Sequence, residues 1–187
     1  MIMKDKIIFL DFDGVITIPP DWDINIEKLK KLKEIIDDTD AKIVISSSWR
    51  SETIEKTKDF WFKNVKRCSK NRMLNWFVDN LYDVTPIAGN RGEEIQRWLD
   101  AHEVENYVIL DDETDMLNSQ MYHFVQTNWE FGLEEPQVSL AIKVLKNERI
   151  RNKLGLNSVI NYAWVQKCNG NNELINKIDN NQDISNV

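Results

Sequence analysis

The sequence predicts an α/β protein whose core is a doubly wound, Rossmann-like parallel sheet with helices on both faces. The prediction depends on three short apolar runs, at residues 7–10, 43–45 and 107–110. Each run has the composition of a strand that is buried on both faces, and each ends abruptly in polar residues. Because helical patterns lie between the runs, strands and helices alternate along the chain, which is typical of a parallel sheet.

The first strand, at residues 7–10, is followed by Asp11, Asp13 and Gly14. Side chains two positions apart in an extended chain point the same way, so Asp11 and Asp13 can converge on one site. Gly14 allows the backbone to turn tightly beyond them. An isolated acidic pair would favour a solvated loop. Polar strand ends recur downstream, however, and ligands of open α/β sheets bind outside the carboxyl ends of the strands.

The second strand, at residues 43–45, runs into a polar segment made of Ser46, Ser47, Ser48, Trp49 and Arg50. Hydroxyls and backbone N–H groups at a strand-to-helix turn can hold a phosphate, since a helix N-terminus favours negative charge. The alternative interpretation is that Ser48 or Ser51 only caps the next helix.

The third strand, at residues 107–110, ends in Asp111 and Asp112, and Asp115 follows. Crowded carboxylates repel one another unless a cation joins them, and Mg²⁺ takes oxygen ligands. A carboxylate can also attack a phosphomonoester when the repulsion between the two anions is neutralised. The strand ends therefore predict magnesium-assisted phosphate chemistry. Asp112 and Asp115 could instead support the ligands or cap a helix.

Periodicity predicts the remaining elements. Helices are expected over 26–36, 74–81 and 92–101, near Ser51, and over 138–145 after Pro136, with a last strand over 122–127 and a poorly defined strand or loop over 82–88. One more helix is expected within 150–167, so the domain covers residues 1–168. Residues 169–187 are Asn-rich and are expected to form a loosely held tail.

Residues 6–146 resemble the haloacid dehalogenase-like (HAD) superfamily of phosphatases and phosphotransferases. The first, second and fourth motifs of the family are similar to Phe-Leu-Asp-Phe-Asp-Gly-Val, Ile-Val-Ile-Ser and Val-Ile-Leu-Asp-Asp in this chain. The resemblance implies that Asp11 is the nucleophile, and that Asp13 protonates the leaving group and then activates water. It also implies that Ser46 binds the phosphoryl oxygens, or Ser47 if the strand ends one residue later.

The same resemblance implies a magnesium site made by Asp11, Asp111 and the main-chain carbonyl of Asp13, with Asp112 as a further candidate. The third motif of the family is a cation that stabilises the nucleophile and the phosphate, and we assign it to Arg91 at the start of the helix predicted over 92–101. The alternative is a surface arginine, which the helix macrodipole would slightly disfavour at that position.

Two segments, Ser-Ser-Ser-Trp-Arg and Arg-Gly-Glu-Glu-Ile-Gln-Arg-Trp-Leu, look more specifically like the small HAD domains associated with RNA repair proteins. Ser47 and Arg50 in the first segment are our candidates for substrate binding. The gaps between the motifs are too short for a large cap domain. An uncapped site is open, and it suits phosphates at the ends of large substrates as well as small metabolites.

The charge distribution gives one argument against nucleic-acid binding and one argument for it. The formal net charge of −7 opposes binding to a phosphate backbone. Residues 56–72, in contrast, carry basic side chains with interleaved aromatics, a combination that can follow a single strand by charge and stacking. The alternative is a helical pair with a basic solvent face and an aromatic core face.

Composition sets the remaining expectations. No apolar run approaches the roughly 20 residues of a membrane span. The N-terminal residues lack the pattern of a signal peptide, so none is expected. Cys68 and Cys168 are expected to be reduced thiols of a cytoplasmic protein. His102 and His123 lie in no metal-like cluster, so structural or surface roles are expected for both.

These observations predict a magnesium-dependent phosphomonoester hydrolase that acts through an aspartyl-phosphate, on a phosphorylated small molecule or a nucleic-acid end. The competing class is a non-catalytic HAD-like binding or scaffold domain. A third class is a receiver-like module in which Asp11 accepts a phosphoryl group as a signal.

Overall fold

A computed structural model describes residues 4–65 and 72–146, with the backbone alone for 60–65. The strands in these ranges are β1 (Asp5–Leu10), β2 (Lys42–Ile45), β3 (Leu81–Val84), β4 (Val104–Asp111) and β5 (Phe124–Gln126). They form one five-stranded parallel sheet in the order β3-β2-β1-β4-β5. The predicted parallel α/β class is therefore confirmed, and β1 lies at the centre of the sheet.

The helices are α1 (Ile26–Thr39), α2 (Ile54–Val65), α3 (Arg72–Asp79), α4 (Arg91–Ala101) and α5 (Glu135–Leu145). Residues of α1, α3 and α5 pack in the core on one face of the sheet. Residues of α4 pack in a second core on the other face. Helices therefore cover both faces, as predicted, and no cap domain is inserted between the described elements.

The central strand β1 is buried on both faces. Ile8 and Leu10 belong to the core beneath α1 and α5, whereas Ile7 and Phe9 belong to the core beneath α4. Successive side chains of a strand point to opposite faces, so the part of a strand that lies between two helical layers needs apolar residues at consecutive positions, as at residues 7–10. Phe9 also meets the ring of Trp98 edge-on, with ring centroids 5.4 Å apart.

Several element boundaries differ from the predicted ones. Leu81 begins β3 instead of ending α3, because the helix stops at Asp79 and the Asn80 side-chain amide donates to the Trp76 carbonyl. Leu81 is buried in β3, and a leucine at the end of the predicted helical stripe would be buried too. Hydrophobic periodicity therefore could not distinguish a helix end from a strand start at this residue. Helix α5 begins before Pro136, since a proline is tolerated in the first turn, where its missing N–H costs no hydrogen bond.

Some predictions concern parts of the chain outside the described residues. These are the helix within 150–167, the tail over 169–187, and the state of Cys68 and Cys168. The domain boundary at residue 168 stays a prediction for the same reason. Among the helices that the structure does describe, none is long and apolar enough to cross a membrane.

The start of α4 is held against the loop that follows β4. The Gly92 N–H donates to the Asp115 carbonyl at 3.3 Å. A Cβ atom at Gly92 would lie 2.5 Å from the backbone nitrogen of Leu117. Only glycine allows this close approach of two backbones, and it sets the position of the neighbouring Arg91.

We therefore expect Gly92→Ala to lower the free energy of unfolding by about 1–3 kcal/mol, because the added methyl group must displace backbone. Chemical denaturation measures the change. Arg97→Ala, at an exposed position of the same helix, is the control and should change stability little. Equal stability of the two variants would contradict the close packing described here.

Candidate active site

The carboxyl ends of the three central strands lie side by side. The Ser46 N–H donates to the Leu10 carbonyl at 3.0 Å, and the Asp11 N–H donates to the Leu110 carbonyl at 3.0 Å. Asp11 is thus flanked by Ser46 from the end of β2 and by Asp111 from the end of β4. The parallel register brings together the polar strand ends that the sequence analysis singled out.

Three carboxylates crowd into this edge of the sheet. Asp11, Asp111 and Asp112 each offer one oxygen, and these oxygens all lie within 4.8 Å of one another. Asp11 and Asp111 are buried, and Asp112 is half-buried. Burial raises the pKa of Asp111 to about 8 and the pKa of Asp112 to about 6, and the neighbouring charge on Asp11 adds to both shifts.

The Arg91 guanidinium lies against two of these carboxylates. Its Nη1 atom donates to Asp11 Oδ1 at 3.1 Å, and its Nε atom is 3.5 Å from Asp111 Oδ2. Burial still raises the pKa of Asp11, although Arg91 and the Ser47 hydroxyl oppose that shift. The structure therefore places the cation that we selected from the sequence beside the predicted nucleophile.

Helix α4 delivers Arg91 from its first residue. Asn90 caps the helix, and its side chain accepts the Glu93 N–H at 2.9 Å. The Arg91 N–H donates to Asp115 Oδ2 at 3.1 Å. The macrodipole disfavours a cation at this end of a helix, and the surrounding carboxylates offset that effect. Asp115 therefore holds the start of α4. The sequence leaves it open as a metal ligand, as a support for the ligands or as a helix cap.

Two buried polar atoms of the site have no hydrogen-bond partner among the described residues. They are the hydroxyl oxygen of Ser46 and Oδ2 of Asp111, which has the Arg91 Nε atom only at ion-pair distance. Buried polar atoms are usually paired, so an unpaired one needs an explanation such as a ligand or an ion. A hydroxyl suits a phosphoryl oxygen. A carboxylate oxygen in an acidic cluster is the hard ligand that a magnesium ion prefers.

Ser46 and Ser47 both remain candidates for binding a phosphoryl group. Strand β2 ends at Ile45, so Ser46 is the first residue beyond it, and both serines are fully buried. Ser47 is engaged, since its hydroxyl bonds to the Asp11 carboxylate and accepts the Trp49 N–H at 3.3 Å. The unpartnered hydroxyl of Ser46 favours Ser46 for this role.

Asp13 lies beside the cluster with its carboxylate held on both sides. Thr17 Oγ1 donates to Asp13 Oδ1 at 2.7 Å. Trp49 Nε1 donates to Asp13 Oδ2 at 2.8 Å. The Asp13 side chain does not belong to the three-carboxylate cluster, and the contribution of its main-chain carbonyl to a metal site stays a prediction.

Arg50 has most of its donors occupied by the protein. Its guanidinium donates to the carbonyls of Ser46, Ser47, Thr85 and Pro86. It also pairs with Glu94 at 2.8 Å, and both side chains are nearly inaccessible, at 5% and 9% exposed. This arrangement ties the turn after β2 to the turn after β3 and to α4. The predicted role of Arg50 in substrate binding stays a prediction.

Gly14 meets two demands that only glycine satisfies. Its φ angle is +67°, in the left-handed region that other residues rarely adopt. A Cβ atom there would also lie 2.5 Å from the side-chain carbon of Asp112. The loop after β1 can therefore turn directly over the acidic cluster.

The histidines lie in stacked pairs, consistent with the structural roles predicted for them. His102 stacks on Trp98 with centroids 3.8 Å apart, and His123 stacks on Tyr107 at 3.9 Å.

Of the segment 56–72, the structure describes the side chains only at its two ends. Beside its C-terminal end, Trp76 and Phe77 pack in the core, as expected if the aromatics form a core face.

A doubly wound parallel sheet with aspartates at the ends of β1 and β4 and an arginine between them is consistent with a HAD-like domain. The comparison with known families agrees, because the family described as "HAD domain in Swiss Army Knife RNA repair proteins" matches residues 7–138. The match spans more than half of the chain, which therefore belongs to this family. A search of curated proteins returned no match.

Glu94 offers a test of the framework around the site. Removing it leaves the Arg50 guanidinium buried without its carboxylate, and breaking a buried pair costs about 3–5 kcal/mol. We therefore expect Glu94→Ala to destabilise the protein by an amount in that range, measured by denaturant unfolding. Glu93→Ala, at the exposed neighbouring position, should cost much less. Similar losses in both variants would show that the buried pair does not hold the loops.

Proposed function

We propose that this chain is a magnesium-dependent phosphomonoester hydrolase that acts through an aspartyl-phosphate on Asp11. The observation that carries the proposal is the group formed by Asp11, Arg91 and two buried oxygens that make no hydrogen bond, one on Ser46 and one on Asp111. Together they offer a nucleophile, a cation, and two polar atoms whose hydrogen-bonding capacity is unused. Membership in the HAD family supports the same class of reaction.

In the first step, a carboxylate oxygen of Asp11 attacks the phosphorus of the ester. The bond between phosphorus and the ester oxygen breaks, and Asp13 gives its proton to the departing alcohol. The Arg91 guanidinium offsets the repulsion between the carboxylate and the incoming phosphate, which is an electrostatic contribution to lowering the barrier.

In the second step, a water molecule attacks the phosphorus of the acyl phosphate, and Asp13 takes a proton from that water. The bond between phosphorus and the Asp11 oxygen breaks. Inorganic phosphate leaves, and the Asp11 carboxylate is restored. The two steps split one difficult displacement into two easier ones, and Asp13 serves first as acid and then as base.

The acidic cluster fits magnesium. Asp11 and Asp111 would hold the ion, with the main-chain carbonyl of Asp13 and the side chain of Asp112 as further ligands. When bound, the ion would neutralise charge on the cluster and on the phosphoryl oxygens. The carboxylates are hard oxygen ligands, and magnesium needs only one or two of them.

We propose a phosphorylated polynucleotide end as the substrate. The family description, a domain in RNA repair proteins, supports this class. The absence of a cap domain within the described ranges leaves the site open to a long chain. A small phosphorylated metabolite is the alternative substrate, and the net charge of −7 favours it.

Asp11→Asn tests the nucleophile. We expect kcat to fall by at least about a thousandfold, because an amide oxygen cannot form the acyl phosphate. The fold should be retained, since the amide oxygen can still accept from Arg91 and Asp111 still pairs with the guanidinium. Phosphate release and thermal unfolding measure the two effects. Asp23→Asn, in an exposed loop, is the control. Wild-type turnover in Asp11→Asn would rule out the covalent mechanism.

Magnesium should stabilise the protein more at about pH 8 than at about pH 5, because protons and the metal compete for the same carboxylates. The pKa values of Asp111 and Asp112 are raised from 3.8 to about 8 and about 6. Because both pKa values are higher in the folded state, the metal-free folded protein binds more protons than the unfolded chain. Its free energy of unfolding therefore falls as pH rises from 3.8 to about 8. A magnesium ion that binds the ionised form relieves the loss.

The shift in melting temperature on adding magnesium, measured at several pH values, tests this dependence. Asp111→Asn should show almost no shift at any pH, because it lacks a ligand. A magnesium shift that is equal at both pH values, or larger at the acid one, would contradict the assigned cluster.

The choice of substrate can be tested with the basic segment. We expect the triple variant Lys63→Ala, Lys66→Ala and Arg67→Ala to act more weakly on a phosphorylated oligonucleotide and to lose part of its salt dependence. Hydrolysis of a small aryl phosphate should stay unchanged, since distal phosphate contacts add affinity by counterion release.

The matched control replaces three exposed lysines of the described residues by alanine: Lys4, Lys30 and Lys143. If both triple variants weaken action on the oligonucleotide equally, the loss of net positive charge explains the result and the basic segment has no specific role. A wild type that hydrolyses the aryl phosphate but no oligonucleotide would favour the small-metabolite alternative.

A further inference from the structure

The side chain of Asp13 is held by donors from two different parts of the chain. Thr17 lies four residues further along the same loop, whereas Trp49 lies in the turn after β2. Each donor contacts a different oxygen of the carboxylate, at 2.7 and 2.8 Å. Two hydrogen bonds to two oxygens fix both the direction and the plane of the group.

The loop that carries Asp13 fixes its backbone independently of these donors. The N–H groups of Val15, Ile16 and Thr17 all point to the Phe12 carbonyl, at 2.8–3.1 Å. The Gly14 N–H donates to the Thr17 carbonyl at 2.9 Å. The main chain of Asp13 is thus set by its own turn, and the donors act on the rotation of its side chain.

Trp49 is held both through its ring and through its backbone. Its ring packs against the apolar core and lies 6.3 Å from the Phe12 ring, centroid to centroid. Its backbone N–H donates to the Ser47 hydroxyl. An indole N–H donates and cannot accept, so this contact requires an acceptor oxygen on the side chain of residue 13. The tryptophan therefore links the turn after β2, which carries the serines, to the orientation of Asp13.

We propose that Trp49 is a positioning residue for Asp13 and holds its carboxylate in the orientation needed for proton transfer. The proposal rests on the proposed function, in which Asp13 serves as acid and base. Nothing else in that function requires a tryptophan here. A phenylalanine would fill most of the same space without supplying the N–H group.

The test is Trp49→Phe, assayed on an alkyl phosphate and on a nitrophenyl phosphate. We expect kcat on the alkyl ester to fall roughly tenfold, the equivalent of one hydrogen bond to a charged group. The loss on the nitrophenyl ester should be smaller, because that leaving group departs without a proton. KM should stay unchanged on both esters. A raised KM with unchanged kcat would mean that Trp49 contacts substrate, and would overturn the proposal.

Trp98→Phe is the matched control. Trp98 Nε1 also donates to a carboxylate, Asp83 Oδ2, at 2.6 Å, and its ring is likewise packed in a core. This variant loses the same kind of hydrogen bond at a place that does not contact Asp13. It should keep the wild-type ratio of activities on the two esters. An equal change in that ratio for both variants would show that the Trp49 effect comes from a general disturbance of the fold, and it would overturn the proposal.

A double-mutant cycle tests the route of the effect. If Trp49 acts through Asp13, adding Trp49→Phe to Asp13→Asn should cost nothing further on the alkyl ester. Asn suits this test, because its carbonyl can accept from Trp49 and its amide can donate to the Thr17 oxygen. Additive losses would contradict the proposal.

An NMR measurement separates this proposal from the proposed function. The chain has seven tryptophans, and the indole N–H signal that disappears in Trp49→Phe belongs to Trp49. That signal should shift in Asp13→Ala, and the Trp98 signal should not. An unmoved Trp49 signal overturns the contact whatever the activity. A wild type that hydrolyses neither ester contradicts the proposed function, while a shifted signal would still support the contact.

Discussion

The contact between the Arg91 guanidinium and the carboxylates of Asp11 and Asp111 is the interaction on which the geometry of the site depends. Charges in a buried place are stable only when they are paired, and removing one partner is costly. The contact therefore ties the start of α4 to the ends of β1 and β4. Gly92 lets that helix approach closely, and Gly14 lets the loop after β1 close over the same carboxylates.

The parts of the site that the sequence predicted are those that follow from strand ends. Each buried strand has a recognisable apolar composition, and parallel strands present their carboxyl ends at one edge, so Asp11, Ser46 and Asp111 could be placed together in advance. Arg91 was harder to place, because its role depends on where a helix begins relative to the sheet. The family resemblance, rather than the local pattern, selected it.

Other features could not be predicted because they join residues that are distant in sequence. The Arg50–Glu94 pair and the Trp49–Asp13 hydrogen bond each depend on the mutual position of loops from different strands. In the sequence, Glu94 looks like one more acidic residue of an amphipathic helix. Its only local signal is its position in the Arg-Gly-Glu-Glu-Ile segment, which places it on the buried side one turn after Asn90. Leu81 shows a similar limit, since a buried leucine suits the end of a helix and the start of a strand equally well.

The central claim is that Asp11 carries the phosphoryl group, and chemical trapping tests it most directly. The protein would be mixed with magnesium and a phosphorylated substrate, quenched with acid, treated with borohydride and digested for mass spectrometry. An acyl phosphate on an aspartate is reduced to homoserine, so the account predicts homoserine at position 11 in the wild type and none in Asp11→Asn. Release of phosphate with an unmodified residue 11, or with homoserine at another aspartate, would contradict it.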